Sequence, residues 1–330
     1  MPKPVASQVI VITGGSSGIG LATAIEAARR GARVVLAARN RQSLDEAVGS
    51  IRAQGGEAIG VPTDVTDAAQ VQALAVAAEE TFGRIDTWVN NAGVLNVAGF
   101  LDQPLEDFEQ VMRVNFLGQV YGARAALPYL EASAGALVCI GSAYGDRGAP
   151  LWTAYCASKH AIKGWLDGLR VELRKAGSPV RVTLIKPATI NTPLFGKAKT
   201  QIGVKPVGMP PYYAPELVAE AVLHAAESDE RDVYVGESGL ALSLGERMSP
   251  KLVDAFMGLF AFPLQRSREP KDADAPNNLY APVTDDGGVR DGLPELRWSP
   301  YAAAKRHPIR AWAAAGLVAG LAAAVTRRKR

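Results

Sequence analysis

Short, nearly unbroken apolar runs alternate along this chain with longer stretches in which apolar residues recur every three or four positions. The runs are Val9–Ile12, Arg33–Ala38, Glu57–Val61, Ile85–Val89, Ala136–Ile140 and Val180–Ile185, with Asp232–Val235 as the last. Without polar alternation they read as strands buried on both faces, the mark of a parallel sheet. The periodic stretches read as helices. They pass through Leu21, Ile25 and Ala28 to Gly31, then Leu44–Ala53, then Val71, Leu74 and Ala78. Leu105–Arg113, Asn115–Leu130, the Ile162, Trp165, Leu166, Leu169 and Leu173 stripe, and Pro215–Glu227 follow. This alternation predicts an α/β chain, a doubly wound parallel sheet with right-handed crossovers.

Composition changes the picture little. The 330 residues are 48% hydrophobic and 21% charged, enough for a large core in one domain. The net charge of +3 is modest, and no basic stripe interleaved with aromatics points to nucleic acid. Cys139 and Cys156 offer neither a disulfide framework nor metal-ligand spacing, and His160, His224 and His307 form no ligand cluster. No metal is expected, His160 is expected to be structural, and a reducing, cytoplasmic setting is the default. Met1-Pro2-Lys3-Pro4 leads into an apolar run far shorter than a secretory h-region, so no signal peptide is expected.

Candidate chemistry gathers at the carboxyl ends of the expected strands, the edge where open α/β sheets bind ligands. TGGSSGIG, residues 13–20, joins the first strand to the first helix. Glycines at Gly14, Gly18 and Gly20 let the backbone approach a pyrophosphate, and the N–H groups of the helix start attract its charge. Ser16, Ser17 and Ile19 complete the set of expected cofactor contacts. The turn could be a tight connection only; its place between strand and helix favours a nucleotide. The second strand ends in Ala38-Arg39-Asn40-Arg41, with no acidic residue to accept from a ribose 2′-OH. Arg39, helped by Arg41, could hold a 2′-phosphate, so NADP(H) is favoured over NAD(H); the alternative is a solvated basic loop. Asp64 and Val65 are placed for an adenine contact, although Asp64 could instead cap the next helix. Asn91, Ala92 and Gly93 close the fourth strand, and Ser142 the fifth.

Tyr155 and Lys159 stand four apart at the head of a helix, on one face. A free phenol titrates near 10, and a cation one turn away pulls it toward the working range. Alone, such a pair is more often a surface feature. Ser142, a short loop upstream, can converge on the same cleft.

TGGSSGIG, NNAG at 90–93, Asn115, Ser142 and YCASK at 155–159, in this order, resemble the short-chain dehydrogenase/reductase family over roughly residues 7–240. The resemblance implies a Rossmann-type fold, a nicotinamide cofactor and hydride transfer between an alcohol and a carbonyl (EC 1.1.1.-). It implies Tyr155 as general acid/base, Lys159 lowering its pKa and binding the nicotinamide ribose, and Ser142 donating to the substrate oxygen. Asn115 would hold a water linking Lys159 to solvent, and Pro187 and Thr192 would meet the carboxamide end of the cofactor. Where the family commonly has Pro-Gly after the sixth strand, this chain has Pro187-Ala188. Homodimers or homotetramers packed through the Asn115–Leu130 and Tyr155–Lys175 helices are implied as well.

The domain of residues 1–240 is expected to carry a lid at about 188–214, whose Met209, Pro210, Pro211, Tyr212 and Tyr213 suggest an apolar substrate. Beyond it, 241–264 reads as an apolar helical extension, with Leu252–Phe262 packing near the lid, and 265–305 as an extended or flexible linker. Residues 306–330 are an Ala-rich apolar helix with basic flanks, uncharged over Ala311–Thr326. It is short for a membrane span, and membrane attachment and packing on the protein both remain open. Two rival functions stand beside the oxidoreductase: an NADPH-binding sensor without turnover, and a membrane-tethered scaffold. The intact Asn115, Ser142, Tyr155 and Lys159 set argues against the sensor, and deleting residues 300–330 separates the scaffold from the enzyme.

Overall fold

The structure is a computed structural model and describes residues 2–283 and 287–300. The Ala311–Thr326 segment, and with it the question of a membrane anchor, lies outside the described residues. In chain order, β1 (Val9–Thr13), α1 (Gly18–Arg29), β2 (Arg33–Ala38), α2 (Arg41–Ala53), β3 (Glu57–Pro62), α3 (Ala68–Phe82) and β4 (Thr87–Asn90) come first. A short β5 (Asn96–Val97), α4 (Leu105–Met112), α5 (Gly118–Ser133), β6 (Ala136–Ile140), α6 (Thr153–Lys175) and β7 (Arg181–Pro187) follow. Then come α7 (Leu194–Lys197), β8 (Lys199–Thr200), β9 (Val204–Pro206), α8 (Pro215–Ala226) and β10 (Asp232–Val235). Two helices, α9 (Glu237–Met248) and α10 (Pro250–Leu264), and a strand β11 (Arg266–Pro270) complete the order.

Seven strands form one parallel sheet in the order β10-β7-β6-β4-β1-β2-β3. The chain builds outward from β1 to β3, returns to β4 and builds outward the other way. A crevice therefore opens where the direction reverses, at the carboxyl ends of β1 and β4. The central strands are buried on both faces, which is why they are written as unbroken apolar runs. One core layer packs Leu21, Ala24 and Val218 against the sheet, and the opposite layer packs Leu74, Ala126 and Ile162.

Local chemistry explains the boundaries. Asn40 caps α2 by accepting from Ser43 N–H, and Asp67, not Asp64, caps α3, accepting from Ala69 and Gln70 N–H. Each cap is worth about 1 kcal/mol. The helices expected at Leu105–Arg113 and Asn115–Leu130 form one run, α4 to α5, interrupted by a π-helical turn at Arg113–Leu117. Such a turn widens the helix locally and is common at functional sites.

Residues 265–283 and 287–300, from the stretch 265–305 expected as a linker, are extended but tied to the body. β11 pairs antiparallel with β9, and Asn278 N–H, Leu296 N–H and the Arg290 side chain all bond the domain. The expectation of flexibility came from Pro, Gly, Asp and Asn content, which marks the absence of helix and strand but not the absence of partners. Among the described residues no helix is long and apolar enough to cross a membrane.

Candidate active site

The Gly-rich turn after β1 has a shape only glycine allows. Gly14 and Gly18 sit at φ +65° and +55°, in the left-handed region. A Cβ on Gly14 would stand 2.9 Å from Ala92 Cα, and one on Gly20 2.2 Å from Gly14 O. One on Gly18 would press Thr192 Cβ at 3.3 Å, so Thr192 reaches the turn across the crevice. Asn91 locks the turn: its side-chain amide donates to Thr13 O at 2.9 Å and Gly14 O at 3.1 Å. Asn91 thus holds the two halves of the switch point together. The cradle so formed, with the α1 N-terminus at its base, suits a pyrophosphate.

Gly14, Ser16, Ser17, Gly18, Ile19, Arg39, Asp64, Val65, Asn91, Ala92, Gly93, Pro187 and Thr192 line one continuous cleft with Ser142, Tyr155 and Lys159. The expected cofactor residues are therefore brought together, with Gly20 just beneath. Arg39 also bonds the chain itself: its terminal nitrogens donate to Tyr280 O at 3.1 Å and Asn278 O at 2.6 Å. Arg41 points elsewhere, pairing with Asp45 at 2.9 Å. Asp64 Oδ1 accepts from Thr66 N–H and its hydroxyl, which fixes the carboxylate at the cleft wall.

At the other end of the cleft, Ser142 Oγ accepts from Tyr144 N–H, and its hydroxyl stands close enough to the Tyr155 phenol to pull that group's pKa down. Lys159 is buried; its ammonium donates to Ile140 O at 3.0 Å and lies 5.4 Å from the Tyr155 ring centroid. Burial lowers Lys159 to about 8. Burial also pushes the Tyr155 phenol up to about 12, against the nearby Ser142 hydroxyl, which lowers it. Loss of water dominates the phenol here, while the Lys159 ammonium is engaged by a strand carbonyl. Cys139 and Cys156, raised to about 12 by burial, are inert thiols. His160 Nδ1 lies 2.8 Å from Cys156 O, a local helix contact.

Asn115 sits in the π turn, fully buried. Its amide gives to Val94 O and Ser158 Oγ and its oxygen accepts from Val94 N–H at 2.8 Å. A Cβ on Gly93 would meet Asn115 Oδ1 at 3.4 Å and Lys159 Nζ at 4.0 Å, so Gly93 separates the two side chains.

A second cavity of about 620 Å³ adjoins the Tyr155 end of the cleft; Tyr144, Ala188 and Thr189 border both. Its other walls are apolar, from Met209 of the lid and Leu242, Leu252, Val253, Phe256 and Met257 of α9 and α10. Ala188 adopts no left-handed backbone, and its methyl is accommodated by Gly236 and Gly239, where a Cβ would lie 2.9 and 3.3 Å from it. Alanine in place of the family's glycine therefore leaves the loop intact and narrows the gap between β7 and α9.

Residues 8–203 match the short chain dehydrogenase family. This chain belongs to that family. It is an oxidoreductase, and solved relatives hold nicotinamide cofactors. The uncharacterized oxidoreductase YxnA of Bacillus subtilis (strain 168) is 40% identical over 97% of this chain and 92% of its own length. Oxidoreductase Lmo0432 of Listeria monocytogenes is 34% identical over 70% of this chain and 94% of its own. A short chain dehydrogenase/reductase from Burkholderia phymatum in complex with NAD has a TM-score of 0.66 at 30% identity, covering 74% of this chain and 94% of that one. An alcohol dehydrogenase from Thermococcus sibiricus, complexed with 5-hydroxy-NADP, has a TM-score of 0.61 at 27% identity, over 69% and 95%.

Trp152, Lys197 and Asn278 are among the residues of this family member's cleft that sequence reasoning missed. Lys197 Nζ donates to Ser17 Oγ at 3.0 Å, which sets a cation beside the Gly-rich turn. It lies in the lid, where no periodicity singles out a side chain. Asn278 belongs to a stretch whose composition suggested only a linker.

Proposed function

We propose that this chain is an NADP(H)-dependent oxidoreductase of bulky apolar carbonyls and secondary alcohols, with Tyr155 as general acid/base. The observation that carries the reading is the convergence of Ser142, Tyr155 and Lys159 on one wall of the cofactor-shaped cleft, where it opens into the apolar cavity. Gly14, Gly18, Gly20 and the α1 N-terminus would hold the pyrophosphate, Asp64 and Val65 the adenine, and Arg39 the 2′-phosphate. Pro187 and Thr192 would meet the nicotinamide end.

When bound, the nicotinamide supplies or accepts the electron pair of the redox step. The chain's own groups manage the proton and the charge. Tyr155, held protonated by burial, gives its Oη proton to the carbonyl oxygen in reduction and takes it back in oxidation. Ser142, whose Oγ already accepts from Tyr144 N–H, donates its hydroxyl proton to the same oxygen and stabilises the charge developing there. Lys159 supplies a cation that favours phenolate once Tyr155 has given up its proton. Asn115 holds the Gly93–Val94 corner against Lys159, the place for a water leading to solvent. The cavity between the lid, α9 and α10 excludes water and takes the apolar body of the substrate.

Phe116 on the π turn and Trp165 on α6 pack edge to face, 6.3 Å between ring centres, and leave part of their surface outward. That half-buried aromatic face suits a second copy of the chain, so a homodimer or homotetramer belongs to the reading.

The test is NADPH consumption over a panel of ketones and aldehydes of increasing apolar bulk, with Tyr155→Phe as control. Tyr155→Phe should bind NADPH as the parent does and lose turnover by about 10²–10⁴-fold. Undiminished turnover in that variant would overturn the assignment.

A further inference from the structure

Two runs of chain beyond α10, residues 277–283 and 287–296, lie along the outer rim of the cofactor cleft. Asn278 O and Tyr280 O accept from Arg39, and Val283 O accepts from Asn40 Nδ2 at 3.0 Å, at the end of β2. Further on, Gly288 O accepts from Gly18 N–H at 2.9 Å, at the Gly-rich turn after β1. Further still, Leu293 O accepts from Asn191 Nδ2 at 2.8 Å, in the loop after β7. The order of contacts along these runs thus follows the order of strand ends along the cleft. Asn278 is itself a lining residue, so the segment is a wall of the cleft and not a neighbour of it.

Its attachments to the rest of the domain are polar and lie outside the cleft. Tyr280 Oη donates to Asp107 at 2.9 Å, and Gln110 Nε2 donates to Leu279 O at 3.2 Å, both on α4. Leu279 is buried with Val65 and Val111. At the other end Arg290 pairs with Glu216 at 2.6 Å and Glu295 at 2.9 Å, and Asn191 also donates to Glu295. Besides these exchangeable contacts, the runs are held by buried Leu279, by Val289 packed against the core and by main-chain bonds at Asn278 and Leu296, still a lighter hold than a packed helix.

We propose that these two runs form a strap that closes the adenosine side of the cofactor cleft, orients Arg39 from behind, and lifts for the dinucleotide to enter and leave. The proposal rests on the reading of the cleft as an NADP(H) site. Arg39 has five N–H donors, and only two are seen bonding strap carbonyls, so the fork is aimed by the strap and still able to take a phosphate. Freed from the strap, the same side chain regains rotamer freedom that phosphate binding would have to remove. The strap therefore sets two properties together: how fast cofactor is exchanged, and how strongly a 2′-phosphate is preferred. The YxnA match, which takes in 97% of this chain, runs through the strap. The Lmo0432 match covers 70% of this chain and 94% of that shorter protein.

The experiment uses the full chain with both anchors loosened, Tyr280→Phe with Arg290→Ala, and reads NADPH and NADH release by stopped-flow displacement. The double variant should melt within about 3 °C of the parent. NADPH release should quicken by about tenfold or more, and the NADPH-to-NADH affinity ratio should fall toward one. Hydrogen exchange in 277–283 should slow when the parent binds NADPH, whereas Gly288 O must yield Gly18 N–H to the pyrophosphate. Release within about twofold of the parent, with NADPH bound by both proteins, would overturn the strap. Faster exchange of residues 277–283 on NADPH binding would also overturn it, because it would mean that cofactor displaces the segment. Failure of the parent to bind NADPH at all would instead overturn the cofactor reading, and the strap with it.

Discussion

Lys159 hangs from Ile140: its ammonium donates to that residue's main-chain oxygen at 3.0 Å, so the last carbonyl of β6 holds the cation of α6 in place. Strand and helix are thereby joined at the point where Tyr155 meets Ser142. The arrangement has an energetic cost, since burial brings Lys159 to about 8 from 10.5. Between those two values the unfolded chain binds a proton that the folded chain does not, so this group makes stability rise with pH from about 8 to 10.5. Lys159→Met should accordingly be more stable than the parent at pH 7, by about 2 kcal/mol, and the gain should close above about pH 10.5. Urea unfolding at the two pH values measures it. The variant should have lost turnover, so function and stability are opposed at this residue.

Arg39→Ser should raise the KM for NADPH by about 10- to 100-fold and leave that for NADH nearly unchanged, as expected for loss of a charge-assisted bond worth about 1.5–3 kcal/mol. Initial rates with both cofactors decide it. Equal effects on the two would mean that Arg39 does not meet the 2′-phosphate.

Asp146 is a structural counterpart to the buried Lys159. It accepts from Lys163 at 2.6 Å, Lys186 at 3.3 Å, Tyr234 and Ser243, and Lys186 is itself almost wholly buried. Burial pushes its carboxyl up, but the Lys163 and Tyr234 hydrogen bonds and the two lysine charges outweigh that and hold it well below the carboxylate range. A lowered carboxyl contributes stability that is present above its unfolded pKa near 3.8 and is lost as pH falls below it, toward the folded value. Asp146→Asn should lose about 3 kcal/mol at pH 7, since it leaves Lys186 buried with a weaker partner set. It should also flatten the fall in stability below about pH 4. Melting curves across pH 2.5–7 would show both effects.

Leu252 is 72% exposed yet lines the apolar cavity, so it stands at the mouth. Leu252→Asp should leave folding intact and raise the KM of bulky apolar carbonyls by about tenfold, with small aldehydes unaffected. A uniform rise would place the substrate elsewhere.

The strands were readable because a parallel strand covered on both faces must be apolar throughout; Arg33–Ala38, Ala136–Ile140 and Asp232–Val235 begin and end where the pattern does. The glycines of the first turn were readable because their backbone shape admits nothing larger. Three features were not. The π turn that carries Asn115 differs from an α-helix by one hydrogen-bond step, which side-chain spacing barely registers. Helix α9 was read only as part of one helical extension over 241–264; with only Gly239 and Ser243 fully buried it has no clean stripe to show its start at Glu237 or its break from α10. The strap engages the cleft through main-chain oxygens of Asn278, Tyr280 and Gly288, and no side chain announces a carbonyl.

The apolar cavity is walled largely by α9 and α10, chain that follows β10, whereas the acid, the lysine and the Gly-rich turn all precede residue 160. On the proposed reading, choice of substrate and execution of chemistry are therefore written in separate stretches of the gene. Exchanging residues 237–264 between relatives would transplant a preference for one hydrophobe over another while the proton-handling groups stay untouched.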